Sequence, residues 1–175
     1  QEMVFGNKTP LCATGVYFTR DKSTGIKHDT LDGTVLFQAQ GEDVVAGIRN
    51  SLPIEALKEH DNADIRAIYD EMKETGNNLE KHLHNMQDTE FTIEEKDGKP
   101  LPYWLQIRDG KRSARAESVI AVHMQQEGLV TKEEAVKMVN PERFEELLFP
   151  QIEASNRKEA TKVTKGSAAS PGAAS

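Results

Sequence analysis

The sequence predicts an α+β fold in which an antiparallel sheet packs against one long amphipathic helix and is followed by a small helical segment. Two runs of alternating polar and apolar residues flank a turn at Asp97-Gly98, which is typical of a β-hairpin. Ahead of this hairpin, apolar residues recur at three- and four-residue steps over residues 62–86, as in an amphipathic helix. Behind it, helix-capping residues recur from Ser113 onward.

The chain before the long helix contains short strand candidates separated by turns. Residues 16–19 and 34–39 are rich in β-branched and aromatic side chains, so both predict strands. Residues 21–25 predict a turn between them, because Asp, Ser and Gly favour turn conformations. Residues 40–43 predict a polar loop, and Pro53 is expected to open a short helical turn that runs to His60.

The long helix has one apolar face and one interruption. Gly76 lies within the helical pattern and costs about 1 kcal/mol relative to Ala, which is compatible with a kink. The residues expected to face the core are Ile65, Ile68, Tyr69, Met72, Leu79, Leu83 and Met86.

The hairpin has a register that matches polar with polar and apolar with apolar side chains. A slip of one residue would set apolar against polar side chains along its whole length. The expected cross-strand pairs are Asp88–Arg108, Glu90–Gln106, Phe91–Leu105 and Ile93–Tyr103. One face of the hairpin is then core, and the other face, which also carries Trp104, is polar.

The polar face of the hairpin gathers two carboxylates, an amide oxygen and a guanidinium. Mg²⁺ prefers oxygen ligands and is usually bound by one or two carboxylates together with substrate phosphates. An arginine beside such a site suits a phosphate group. The residues on their own also fit a surface hairpin with one solvated face, because antiparallel sheets commonly expose one side to water.

The chain after the hairpin predicts three short helices and a linker. Ser113 is a candidate N-cap for a helix that buries Ala116, Ile120 and Met124 and ends at Gly128. Residues 131–134 fit a capping box, with Ala135 and Met138 facing inward. A third helix is expected from Asn140-Pro141 to Pro150, carrying Phe144, Leu147 and Leu148. Residues 151–175 are polar and then rich in small side chains, which predicts a linker.

The charge and cysteine content of the chain limit its expected binding partners and cellular compartment. The 175-residue chain has a net charge of −7 and a pI near 5.3, so neither nucleic acid nor an anionic membrane is expected as a partner. Cys12 is its one cysteine, which fits a reducing compartment. Neither a membrane span nor a signal peptide is expected, and both ends are typical of a segment cut from a longer protein. The expected location is cytoplasmic, or an organelle if the source is eukaryotic.

Several stretches, in order along nearly the whole chain, resemble the pyruvate, phosphate dikinase family. The strongest match is Ala-Gln-Gly-Glu-Asp-Val-Val-Ala-Gly-Ile-Arg at residues 39–49. The hairpin contributes Met-Gln-Asp at 86–88, Glu-Phe-Thr-Ile at 90–93, and Leu-Gln at 105–106 with Arg108. The remaining matches lie at residues 3–7, 14–16, 18–21, 23–25, 110–112, 127–129, 131–135 and 169–174.

This resemblance implies a fold and a reaction. The family converts ATP, phosphate and pyruvate into AMP, pyrophosphate and phosphoenolpyruvate, or the reverse, by way of a phosphohistidine on a swivelling domain. Residues 1–112 match the C-terminal part of its ATP-grasp nucleotide-binding domain, residues 113–150 a helical appendix, and residues 151–175 the linker toward the phosphohistidine domain. The implied partners are ATP or AMP and the other domains of the same polypeptide, including the N-terminal ATP-grasp half.

The resemblance also assigns roles by position. Glu42 is implied as a nucleotide contact, and Asp88, Glu90 and Gln106 as the groups around Mg²⁺ and ATP. Arg108 is implied as a phosphate contact with a catalytic role. None of the five histidines lies in the Thr-Ser-His context of the family's phosphate carrier, so none inherits that function.

One departure from the family leaves a second interpretation open. The family usually has a loop rich in Gly, Ser and Asp where this chain reads Lys-Thr-Pro-Leu-Cys-Ala at residues 8–13. Pro10 has no backbone N–H and a fixed φ, so it reduces the loop's capacity to hold phosphate. The alternative is a degenerate or truncated ATP-grasp half that acts as a non-catalytic packing or binding module. The isolated chain is expected to be inactive in either case.

Overall fold

The computed structural model describes residues 3–45 and 51–148, and its centre is a five-stranded sheet. Every pair of neighbouring strands is antiparallel, and the strand order is β3-β2-β1-β4-β5. The strands are β1 Ala13–Phe18, β2 Asp32–Phe37, β3 Leu52–Pro53, β4 Gln87–Lys96 and β5 Lys99–Asp109. The helices are α1 Gly41–Val45, α2 Ala63–Leu83, α3 Ala114–Gln126 and α4 Lys132–Lys137, with 3-10 helices at Ile54–Leu57 and Pro141–Leu148. The α+β class and both early strands are confirmed.

The main core lies between α2 and the face of the sheet that carries Tyr17 and Phe91. Both aromatic side chains are buried, and their ring centroids are 6.0 Å apart. The same cluster contains Ala13, Leu31, Val35, Ile54, Leu57, Ile65, Ile68, Tyr69, Met72 and Ile93. Full burial of a large apolar side chain contributes about 1.5–3 kcal/mol, so this packing fixes which face of the sheet is inward.

The long helix is confirmed, but its last turn differs from the sequence prediction. Asn62 is the N-cap, and its side chain accepts hydrogen bonds from the backbone N–H groups of Asp64 and Ile65. Gly76 is buried beside the residue that follows β1, and a Cβ there would lie 3.1 Å from Thr19 Cγ2. The close approach of Thr19 therefore explains this glycine. Leu83 was expected in the core but is 45% exposed, because the helix ends there beyond the edge of the core.

The polar pairs of the hairpin are confirmed, and the expected apolar pairs are wrong. Asp88 pairs with Arg108 and Glu90 with Gln106, but Phe91 pairs with Trp104 and Ile93 with Pro102. A β-bulge between the Glu90–Gln106 and Phe91–Trp104 pairs leaves Leu105 as an extra residue on β5. The side chains of β5 that precede the bulge therefore point to the opposite face from the one expected. Leu105 is consequently exposed, Tyr103 is only partly buried, and Trp104 packs on the main core instead of lying on the polar face.

The helical segment follows the sequence prediction as far as residue 138. Ser113 caps α3, Gly128 follows its end with φ +74°, and Thr131 and Glu134 form the expected capping box. A second apolar cluster contains Met86, Ala116, Ile120, Ala121, Met124, Val130 and Ala135, with Phe18 and Met138 packed against it. Met86 therefore belongs to this cluster and not to the face of α2.

The end of the helical segment departs from the prediction. Residues Pro141–Leu148 form a 3-10 helix, and Leu147 and Leu148 are exposed. The side chain of Phe144 and the expected linker at 151–175 lie outside the described residues. No helix in the described part of the chain is long and apolar enough to cross a membrane.

Candidate functional site

The structure brings four of the five candidate residues together on one face of the β4–β5 hairpin. Their positions in the strand register place Asp88, Glu90, Gln106 and Arg108 on the face opposite Phe91 and Ile93. The Arg108 Nε donates to Asp88 Oδ2 at 2.9 Å, and Arg108 Nη2 lies 3.4 Å from Glu90 Oε1. These four residues are called the carboxylate face below.

Arg108 is the most exposed of the three ion-paired residues on the carboxylate face. Its side chain is 47% exposed, whereas that of Asp88 is 7% exposed and that of Glu90 is 36% exposed. The hydrogen bond and the charge of Asp88 raise the pKa of Arg108, with a further contribution from the charge of Glu90. The guanidinium therefore stays charged, and its exposed part is accessible to a negatively charged ligand.

The end of the hairpin that carries Asp88 and Arg108 is held by strand pairing with β1 and by hydrogen bonds from Gln87 to Thr19 and Asp109. β1 pairs with β4 so that Phe18 lies opposite Asp88, and Thr19 N donates to Gln87 O at 3.0 Å. Gln87 N in turn donates to Thr19 Oγ1 at 3.0 Å, and Gln87 Nε2 donates to Asp109 Oδ1 at 3.1 Å. Side chains on such cross-braced strands are placed more firmly than side chains on loops.

The donor set of the carboxylate face fits Mg²⁺ in its chemistry. It consists of oxygen atoms only, from two carboxylates and one amide, and Mg²⁺ commonly takes one or two carboxylates and completes its shell with water and phosphate. Two carboxylates and one guanidinium leave a formal charge of −1, which favours a cation. No cluster of three or more His, Cys, Asp or Glu side chains suited to a metal occurs in the described part of the chain. The face alone therefore offers only part of a coordination shell.

The fifth candidate, Glu42, belongs to a different element from the hairpin. It occupies the first turn of α1, and its side chain is exposed. No hydrogen bond or ion pair among the described residues joins it to the carboxylate face.

The loop that departs from the family is fastened to the far end of the hairpin. Lys8 Nζ donates to Glu94 Oε1 at 2.5 Å, and Thr9 Oγ1 donates to Glu95 Oε2 at 2.6 Å. Cys12 Sγ accepts a hydrogen bond from Glu95 N at 3.3 Å. The contact with Lys8 lowers the pKa of Glu94, although Glu94 is buried and its Oε2 has no hydrogen-bond partner among the described residues. The loop at residues 8–13 therefore packs against β4 at Glu94 and Glu95.

Sequence reasoning missed a buried ion-pair network around Arg20. Arg20 is 1% exposed and donates to the carboxylates of both Glu80 and Glu127. Burial acts to lower the pKa of Arg20, but the hydrogen bonds that it donates to Glu127 and Glu80 outweigh burial and raise the pKa. Its partners lie 60 and 107 residues away along the chain, so no local pattern marks them.

Comparison with known proteins confirms the resemblance at the level of a segment. The chain is 45% identical over 174 residues to the pyruvate, phosphate dikinase of Clostridium symbiosum, 44% to the chloroplastic pyruvate, phosphate dikinase 1 of Zea mays, and 43% over 175 residues to the pyruvate, phosphate dikinase of Rickettsia typhi. These alignments cover 99% of this chain but only 19%, 17% and 19% of the relatives. The chain thus spans less than a fifth of their length. No protein-family model matches the chain.

Proposed function

We propose that this chain is the Mg-ATP-binding part of a pyruvate, phosphate dikinase. In this proposal residues 1–112 are the C-terminal part of an ATP-grasp domain, residues 113–150 a helical appendix, and residues 151–175 the linker toward a phosphohistidine domain. The name shared by relatives 43–45% identical to this chain supports the family. The five-stranded antiparallel sheet with a long helix packed on one face agrees with the expected architecture.

One observation supports the assignment of the site to phosphoryl transfer. Arg108 contacts both Asp88 and Glu90 from the neighbouring strand, so a cation-binding pair and a phosphate-binding group occur within 3.4 Å of each other. Phosphoryl transfer requires alignment and charge neutralisation more than covalent participation by the protein. A site of this composition supplies both.

Each residue then has a distinct task. Asp88, Glu90 and Gln106 offer oxygen atoms to Mg²⁺, which neutralises charge on the phosphates of ATP when bound. Arg108 exchanges part of its contact with the carboxylates for a phosphate oxygen and steadies the phosphoryl group that moves. Glu42, on α1, is a nucleotide contact of the same ATP site. The phosphoryl group passes to a histidine on a domain outside this chain, and that domain and the N-terminal ATP-grasp half are the partners.

The test uses a full-length dikinase that carries this segment. Glu90→Ala should slow the ATP half-reaction by roughly 100-fold or more, because metal-assisted charge stabilisation contributes several kcal/mol. Isotope exchange between pyruvate and phosphoenolpyruvate, which reports the other half-reaction alone, should stay near the wild-type rate. Glu74→Ala, an exposed carboxylate on α2, is the matched control and should leave both rates unchanged. Equal slowing of the two half-reactions by Glu90→Ala would refute the assignment.

A second candidate function is a non-catalytic packing or binding module. The loop at residues 8–13 favours this function, because Lys8 and Thr9 are hydrogen-bonded to Glu94 and Glu95 at the place where the family has a glycine-rich loop. The exposed side chains of Leu101, Leu105 and Ile107 on the edge strand β5 favour it as well. Glu90→Ala in the full-length protein distinguishes the two functions, because the substitution would leave the ATP half-reaction unchanged if this segment only packs or binds a partner.

A further inference from the structure

One loop of the sheet domain contacts α3 near its start. This loop, residues 20–25, begins two residues after the end of β1 at Phe18. Ser113, the N-cap of α3, donates its backbone N–H to Lys22 O at 3.0 Å and its hydroxyl to Ser23 O at 2.8 Å. Gly25 has φ +78°, and a Cβ at this position would lie 2.5 Å from Ala116 O, so only glycine allows the loop to approach the helix so closely.

The same loop contacts α3 at its other end through Arg20. Arg20 Nη1 and Nη2 donate to the carboxylate of Glu127, the C-cap of α3, at 3.0 and 2.7 Å. Arg20 Nε and Nη2 donate to the carboxylate of Glu80 on α2, both at 3.0 Å. Lys27 Nζ adds a contact of 2.8 Å to Glu80, so two cations balance two carboxylates. One guanidinium thereby joins α2, the loop and the end of α3.

These polar contacts matter because few residues from the sheet side belong to the second apolar cluster or pack against it. Most members of the second apolar cluster belong to the helical segment itself. From the sheet side, Met86 and Phe18 contribute to it. Ion pairs with planar, bidentate geometry give orientation that apolar packing lacks.

We propose that residues 113–148 and the sheet move as one rigid body, with Arg20 as the docking residue. Arg20 joins α2 and the end of α3 through its contacts with the carboxylates of Glu80 and Glu127. Its position against the sheet is set by Thr19, the preceding residue, which is hydrogen-bonded to Gln87 at the start of β4.

The test is nitrogen-15 relaxation on the 175-residue chain, which needs neither ATP nor activity. The amides of α3 and those of β4 and β5 should share one rotational correlation time. A separate, shorter correlation time for α3 in the wild-type protein would overturn the rigid-body inference, and it would leave the ATP assignment untouched.

A variant tests the role of Arg20 within that body. Glu127→Gln keeps the shape of the side chain and removes its charge, so amide exchange in α3 should become roughly 10- to 100-fold faster, the range for loss of a charge-assisted hydrogen bond. Exchange in β4 should not change. Glu133→Gln, an exposed carboxylate on α4, is the control and should leave α3 unchanged. Equal effects of the two variants would show that Arg20 does not dock the segment.

Discussion

Substitution of Gly15 by Ala tests which face of the sheet is core. Gly15 lies in the middle of β1, opposite Phe91 of β4 and Val35 of β2. A Cβ at this position would lie 2.3 Å from Thr34 O and 2.8 Å from the Phe91 ring. Both distances are shorter than any stable contact, so the strands or the ring must shift.

The loss of stability in Gly15→Ala depends on how far Thr34 O and the Phe91 ring can move away from the new methyl group. Inserting a methyl group into a packed core costs about 1–3 kcal/mol. The nearer atom is backbone and has no rotamer to relieve the contact, so the upper part of that range is expected. For a chain of this size, each kcal/mol lowers the melting temperature by about 2–4 °C.

Thermal unfolding followed by circular dichroism measures this change. Gly15→Ala should lower the melting temperature by about 4–12 °C, the product of about 2–3 kcal/mol and the same size scaling. Gly41→Ala is the matched control, because a Cβ at Gly41 meets nothing within 4 Å, and its melting temperature should not fall. An unchanged melting temperature for Gly15→Ala would refute the placement of Phe91 over β1, and with it the facing of Asp88 and Glu90 on the opposite side.

Three further predictions concern acid stability, the core and activity. Burial acts to raise the pKa of Glu127, but its hydrogen bonds and ion pair with Arg20 outweigh burial and lower the pKa, so Glu127 stabilises the fold above the ordinary value of 4.5 and this stabilisation is lost as the pH falls through the lowered pKa. In denaturant titrations across pH, the free energy of unfolding of Glu127→Gln should fall less on acidification than that of the wild type, and an equal fall would contradict this assignment. Trp104→Phe removes the 3.1 Å hydrogen bond from Trp104 Nε1 to Tyr17 Oη and should cost about 0.5–1.5 kcal/mol in free energy of unfolding, whereas Leu105→Ala at an exposed position should cost less. The chain alone should form no phosphoenolpyruvate in a coupled assay, and turnover above background would disprove its assignment as one part of a larger catalyst.

The sequence was sufficient for the main strands, the long helix and the polar pairs of the hairpin, because these depend on neighbouring residues. It missed the short helix α1, which begins at Gly41 where a polar loop was expected. Alternation over a few residues predicts a strand, and matching of polar side chains predicts the register of Asp88 with Arg108. Capping at Ser113 and Thr131 is equally local, and the structure has both caps.

The sequence was insufficient wherever two solutions have the same local pattern. Trp104 and Leu105 are both apolar neighbours on an edge strand that tolerates prolines at 100 and 102, so nothing local indicates which of them faces inward. Tertiary contact decides it, since Trp104 has a partner in the Tyr17 hydroxyl. The burial of Arg20 is likewise invisible locally, because its carboxylate partners come from distant helices.

The most direct test of the central claim is a nuclear magnetic resonance titration of the chain with ATP and Mg²⁺. If the carboxylate face binds Mg-ATP, amide signals of residues 87–90 and 106–109 should shift with ATP and Mg²⁺ together, and more than with either alone. Glu90→Gln should abolish that joint response, and Glu74→Gln on α2 should preserve it. Shifts confined to other surfaces, or a joint response that survives Glu90→Gln, would contradict the claim.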